Sequence, residues 1–389
     1  MAMVSRTVTY NPLDPATLND PYPVYAAMRA TGTACWNQQL DSWVLTSYQD
    51  CCRVLRDHEN FAADWRRAGE TVPDIALNIH STDPPEHTAI YTVLADALRH
   101  MLNESLTARV RSTVAGMLDT LPTGPVDMVT EFTEPLARWF ITETTGLPLL
   151  DLATMGPIAE AMTRALDSGL VPEAREPGKW AQWKLSELIE TWLAEMDPTQ
   201  PLRAMVDRAT NMGVPRHVTI NSLRTLAIVG FTQVPASLGN ALHAIAREKI
   251  VLKEYLNDAA VLDRAPHEFV RYEAPLQGTT RLCVSDTELA GVRVRRGQGV
   301  LVLFAAANRD PARFPDPDRI QLNRSPNPHL AFGHGAHGCS GFRLAHLLLH
   351  TVLIVLAQRA VTFRLAGPVR HKPVATLRTL ATLPLELAS

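Results

Sequence analysis

Chemistry concentrates in one stretch of this 389-residue chain, His329-Leu330-Ala331-Phe332-Gly333-His334-Gly335-Ala336-His337-Gly338-Cys339-Ser340-Gly341, which runs into an apolar helical segment from Phe342 to about Val361. It puts one cysteine, Cys339, at a helix N-terminus. Helix-end N–H groups and their partial positive charge favour a thiolate there, and the surrounding glycines let the backbone fold closely beneath a flat ligand while aiming amides at the sulfur. Such a sulfur suits the proximal side of a haem iron, where it pushes electron density toward the metal and favours O–O cleavage on the opposite face. Two other readings stand beside this one. The first is a structural cysteine among glycines; the second is a zinc site built from His334, His337 and Cys339, for which no fourth ligand lies at familiar spacing.

The rest of the chain must supply a body to hold that loop. Hydrophobic residues make up 46% and charged residues 20%, an ordinary globular balance that excludes disordered, collagen-like and coiled-coil chains. The net charge of -3 gives no global drive toward nucleic acid or an anionic membrane. Five irregularly spaced cysteines argue against a disulfide scaffold and for a reducing cytoplasm. Met1 to Pro15 lacks the basic and apolar regions of a targeting signal, and the longest apolar run, Leu347 to Ala357, falls short of the roughly 20 residues that span a bilayer. Helical periodicity covers Val24 to Arg29, Tyr48 to Arg56, Glu86 to Leu102, Leu106 to Leu121, Val129 to Thr145, Lys184 to Met196 and Arg216 to Glu248. Strand signals are short: Ala34 to Trp36, Trp43 to Thr46, Val292 to Val294, Val300 to Leu303 and Leu380 to Leu387. No βαβ spacing and no Gly-rich phosphate loop support a Rossmann core. The expectation is a mostly α body with a small β portion, folded as a single domain over residues 1–389.

The spacing Phe-Gly-x-Gly-x-His-x-Cys-x-Gly from Phe332 to Gly341 resembles the cytochrome P-450 family of haem-thiolate monooxygenases. Glu268-Phe269-Val270-Arg271 is similar to the family's Glu-x-x-Arg, with Arg324 placed to complete a buried ion-pair network. Ala306 to Pro311, Phe314 to Asp318 and Asp83-Pro84-Pro85-Glu86-His87-Thr88 match further family segments, so the likeness runs from about Asp14 to Leu387. It implies a P-450 fold with haem b between a long distal helix and a proximal helix, and Cys339 as the iron ligand. It assigns the haem propionates to His87, Arg281 and His337, and puts Tyr91 where the family usually has an arginine.

On the oxygen side the family carries a glycine, any residue, an acid and a threonine. With Gly230 and Asn240 fixing the register, Thr232 replaces the acid and Gln233 the threonine. Pro235 is expected to kink one long helix there, since it lacks an N–H and clashes with the carbonyl of Phe231. Proton delivery then falls to Gln233, Thr232, ordered water or a polar substrate, or the chemistry is a less proton-demanding one.

The same resemblance draws the pocket walls from Phe61 to His80, Ala165 to Glu187, the distal helix with Val229, Gly278 to Thr280 with Thr279, and Arg378 to Thr382 with Leu380. Trp65-Arg66-Arg67 offers aromatic and guanidinium groups to an acidic aromatic substrate. No flavin or iron-sulfur motif is present, so electrons come from NAD(P)H through a ferredoxin reductase and a ferredoxin docking near Arg99, His100, Arg109, Arg111 and Arg343. Three functions compete. The first is oxidation of a small secondary metabolite, free or on a carrier protein; the second is haem-thiolate coupling, isomerisation or sensing without monooxygenation; the third is a zinc hydrolase.

Overall fold

The computed structural model describes residues 10–32, 34–148 and 152–388; most of Met1 to Pro15, read above for a targeting signal, lies outside the described residues. Two of the long helices begin where a side chain satisfies one of their first free N–H groups. Asn103 Oδ1 accepts from Leu106 N (2.8 Å) to start Glu104–Thr120, and Asp258 Oδ1 accepts from Val261 N (3.1 Å) to start Ala259–Tyr272. Around these pack Glu86–His100, Glu134–Thr145, Leu152–Ala165, Arg175–Glu195, Pro201–Asn211, Arg216–Val229, Gln233–Arg247 and Phe342–Gln358. Their apolar faces form the main core, with Phe132, Leu136, Leu223, Leu242, Leu353 and Leu356 almost wholly buried.

The β portion lies to one side. Its main sheet has strand order Ala34–Asn37, Ser42–Leu45, Gly299–Val302, Thr279–Cys283, Phe61–Ala62, all antiparallel except Ser42–Leu45 against Gly299–Val302. A smaller sheet joins Pro125–Asp127 to Pro384–Ala388 and Thr362–Leu365. Pro384 is the first residue of its strand, where a missing N–H costs little, so the expected single strand from Leu380 to Leu387 divides into Leu380–Thr382 and Pro384–Ala388. All five cysteines are free thiols.

The expected helix from Arg216 to Glu248 is two helices. The first ends at Val229, and Thr232 takes φ -128°, ψ -85°, outside the helical region. The break therefore precedes Pro235 rather than forming at it. Restarting at Gln233 leaves Pro235 in the first turn, where no intrahelical acceptor awaits its nitrogen. Gly230 sets the depth of the break: a Cβ there would lie 2.4 Å from Ile141 Cγ1 of helix Glu134–Thr145.

Beneath the cysteine loop sits the ion-pair network. Glu268 and Arg271, both fully buried, share two bonds of 2.8 Å, and Arg324 Nε reaches both Glu268 carboxylate oxygens at 3.1 Å. Gln321 N and Asn327 Nδ2 complete the carboxylate, while Arg271 also binds the carbonyls of Asn308, Pro317 and Arg319. One helix is thereby tied to the whole segment that leads into the loop. Removing one buried partner leaves the other charge uncompensated, so E268Q is expected to lower unfolding free energy by about 3 to 5 kcal/mol, read from urea denaturation.

Candidate active site

Cys339 N donates to Phe332 O (2.8 Å), closing the loop, and Gly341 N–H points at the Cys339 sulfur. Gly335 has φ +71°, and a Cβ there would meet Leu55 O at 2.3 Å, so the loop packs against helix Tyr48–Arg56 with only a hydrogen between them. Cys339 lies deep in the molecule, where burial pushes its thiol up, yet its surface is not closed off by protein atoms. A residue that is both deep and open lines an internal space. Phe332 packs at 5.6 Å from His329 and 6.4 Å from Phe342, and Gly341 caps the start of helix Phe342–Gln358.

Above the loop, helix Glu86–His100 and strand Thr279–Cys283 bring the other groups in. His87 and His337 rings stand 4.2 Å apart, and Tyr91 lies 5.2 Å from His87. His337 Nε2 meets Asp83 Oδ1 at 3.2 Å. Burial raises the Asp83 carboxyl, but bonds from His337, Asp64 N, Arg67 and Ala63 N overcome it and hold it well below the usual range. His87 Nε2 and His337 Nδ1 are buried without a partner. Arg281 is buried, which lowers its pKa, and among the described residues it binds only Thr279 Oγ1 (3.1 Å) and Thr280 O (3.0 Å). Two orphaned imidazole nitrogens and an under-used guanidinium fit a ligand carrying carboxylates.

Sequence reasoning set His80 at the end of a pocket-wall segment and gave it no role of its own. It lies deep, its ring is open to space, and its charge is felt by His87. Burial, then His337 and Arg281, lower its pKa to about 4. Burial, then His337 and His80, lower that of His87 to about 3. The only signal for His80 was its place three residues before Asp83.

The structure corrects other expectations. Arg66 is committed to Asp64 (2.6 Å) and Glu86 (2.8 Å), and Arg67 to Asp83 (3.1 Å) and the carbonyl of His58 (2.6 Å), so neither guanidinium is free for a substrate carboxylate. Trp65 is exposed at the surface. His334 Nε2 takes a bond from Arg56 Nε, and among the described residues no three His, Cys, Asp or Glu side chains converge to hold a metal ion, which removes the basis of the zinc reading. Thr232, Leu380, Val129 and Pro235 line one small cavity, while Val229 and Gln233 are half-buried beside the break between helices Arg216–Val229 and Gln233–Arg247.

Two outcomes follow. In the haem-free protein His80 and His87 are neutral when folded and charge when unfolded, since their folded pKa values lie below the ordinary 6.5. Stability is therefore complete above about pH 6.5 and falls as pH drops toward their folded values, seen as a lower urea midpoint at pH 5 than at pH 7. G335A should fail to seat the loop, and the soluble variant should retain little or no haem after hemin addition, read from the ratio of haem to protein absorbance.

Comparison with known proteins agrees with this geometry. A family model described as Cytochrome P450 matches residues 241–378. The chain is similar to "Cytochrome P450 monooxygenase PikC" of Streptomyces venezuelae, 30% identical over 94% of this chain and 91% of that one. It is also similar to "Mycinamicin IV hydroxylase/epoxidase" of Micromonospora griseorubida, 29% identical over 84% of each. Among solved structures, CalO2 superposes at TM-score 0.86 with 26% identity, covering 98% of this chain and 99% of that one. P450BioI in complex with a fatty-acyl carrier protein superposes at 0.84 with 26% identity, covering 96% and 99%. No helix among the described residues is long and apolar enough to cross a membrane. With the fold, the cysteine loop and these relatives in agreement, the chain belongs to the cytochrome P450 family and is one of its monooxygenases.

Proposed function

We propose that this enzyme holds haem b through Cys339 and oxidises, most simply by hydroxylation, a small secondary metabolite. The observation that carries the reading is the deep, open Cys339 on the same loop as His337, whose Nδ1 is orphaned like the Nε2 of the neighbouring His87. Cys339 would bind iron, Phe332 and Gly341 would frame the sulfur, and His87, His337 and Arg281 would hold the propionates. Tyr91 adds one phenolic donor and no charge. Once bound, the haem supplies dioxygen activation, with the thiolate favouring O–O cleavage. Gln233 and Thr232 supply the polar groups at the break in the distal helices, Gly230 allows that break to seat against Ile141, and Val229, Thr279 and Leu380 shape the substrate wall.

Electrons would come from NAD(P)H through a ferredoxin reductase and a ferredoxin. Arg99, His100, Arg109, Arg111 and Arg343 are all exposed, although Arg99 pairs with Asp96 and Arg109 with Glu143, which leaves Arg111 and Arg343 as the arginines of that patch outside any ion pair among the described residues. The names of the mycinamicin IV hydroxylase/epoxidase and of P450BioI in complex with a ligated acyl carrier protein support a small-metabolite or carrier-tethered substrate. A cytoplasmic location fits the free cysteines. A second reading, oxidative coupling, isomerisation or sensing, is favoured by one observation: neither Thr232 nor Gln233 carries a dissociable carboxyl.

Reduced, carbon monoxide-treated protein is expected to give the red-shifted Soret band of a thiolate-ligated haem, and C339S to lose it. An unshifted band in the unsubstituted protein would refute the ligand assignment. NADPH-driven turnover with ferredoxin and reductase that yields oxygenated product favours the first reading; haem spectra without such turnover favour the second.

A further inference from the structure

Monooxygenation consumes dioxygen, two electrons, two protons and substrate RH, and yields ROH and water, so a buried site must import protons. The distal helix pair offers Thr232 and Gln233, and neither side chain holds an ionisable proton. Thr232 is 4% exposed, and its hydroxyl lies within reach of both Ile228 O (2.9 Å) and Gln233 Oε1. One proton and two acceptors make this hydroxyl a two-position rotor, which is what a relay requires and a source cannot be.

Thr232 also lines a small cavity with space for about one water molecule. Across it stand Thr133 and Glu134, at the start of helix Glu134–Thr145. The backbone there is irregular too. Val129–Thr133 forms a π-turn, in which Glu134 N–H bonds back to Val129 O. Such turns are uncommon and concentrate at functional positions. Two distorted helices, one at 129–133 and one at 230–232, thus face each other over a water-sized space. Glu134 is the one carboxyl on the cavity wall among the described residues, and Lys372 is the one cation; their Oε1 and Nζ are 3.6 Å apart. The Glu134 side chain is 29% exposed, so it reaches solvent at one end and the cavity at the other.

We propose that Glu134 is the proton-donating group for the oxygen side of this site, supplying from a neighbouring helix the carboxyl that the Thr232–Gln233 pair lacks. This rests on the monooxygenase reading and extends it. Glu134 takes a proton from bulk water at its exposed end, and that O–H bond breaks as a cavity water accepts the proton. That water passes one of its own protons to Thr232 Oγ1 as the original hydroxyl proton leaves on the inner side, where the Gln233 amide orients the next water. Each O–H bond broken is matched by one formed, and one proton moves inward. Lys372 holds the resulting carboxylate, and bulk water reprotonates it. Glu134 and Thr232 touch the transferred proton; Lys372 is a positioning residue.

The test uses the haem-loaded protein with a plant-type ferredoxin, its reductase and NADPH, and follows oxygen uptake in water and in deuterium oxide. E134Q is expected to slow uptake by about a hundredfold, the low end for a positioned acid, with a larger solvent isotope effect and an unchanged carbon monoxide spectrum. E134D should recover most of the rate. In a T232E/Q233T background, which puts an acid back on the distal helix, E134Q should have no further effect. A fall of less than about threefold on E134Q overturns the proposal, as does an equal loss in that background, which would mark Glu134 as structural. A crystal structure gives a readout independent of turnover: one ordered water bonded to both Glu134 and Thr232 Oγ1 is expected, and a dry cavity refutes the route. Absence of NADPH-dependent uptake by the unsubstituted protein would instead remove the monooxygenase reading, and this inference with it.

Discussion

The proposed iron ligation would bury a negative sulfur, and that is the constraint on which this account of the structure depends. Away from water the thiol form of Cys339 is favoured, and burial alone pushes its pKa up. A thiolate survives there only where amides, a helix end and a bound cation oppose that cost. The loop from Phe332 to Gly341 provides the first two by turning tightly through Gly335 against Leu55 and by aiming Gly341 N–H at the sulfur. Iron in haem is the cation proposed for the third.

The Glu268–Arg271–Arg324 network and the proposed His87–His337–Arg281 group both bear on the same loop. The network ties helix Ala259–Tyr272 to the segment entering the loop, so the sulfur is held by a buried, fully bonded frame. The imidazoles and guanidinium above it leave hydrogen-bonding capacity unused, which is costly unless a carboxylate ligand uses it. Asp83 ties the loop to the segment around residues 63–67: it bonds His337 from the loop, Arg67, and the backbone of Ala63 and Asp64.

Much of this was legible in the residues because it is local. The spacing from Phe332 to Gly341, the i, i+3 pair of Glu268 and Arg271, and the short strands near Ala34, Trp43 and Val300 all declare themselves within a few positions. What escaped depends on contacts between distant segments. Pro235 announced a disturbance, but Gly230 against Ile141 and the helix restart at Gln233 decided where it fell. Arg66 and Arg67 looked free until Asp64, Glu86 and Asp83 were folded beside them. His80, marked in sequence by no more than its place before Asp83, and the Glu134–Lys372 pair acquire meaning only in three dimensions.

The sulfur–iron bond is most directly read by X-ray absorption at the iron edge of the haem-loaded protein. A sulfur scatterer in the first shell that disappears in C339S is the expected result. A first shell of nitrogen and oxygen alone, identical in both proteins, would contradict axial ligation by Cys339.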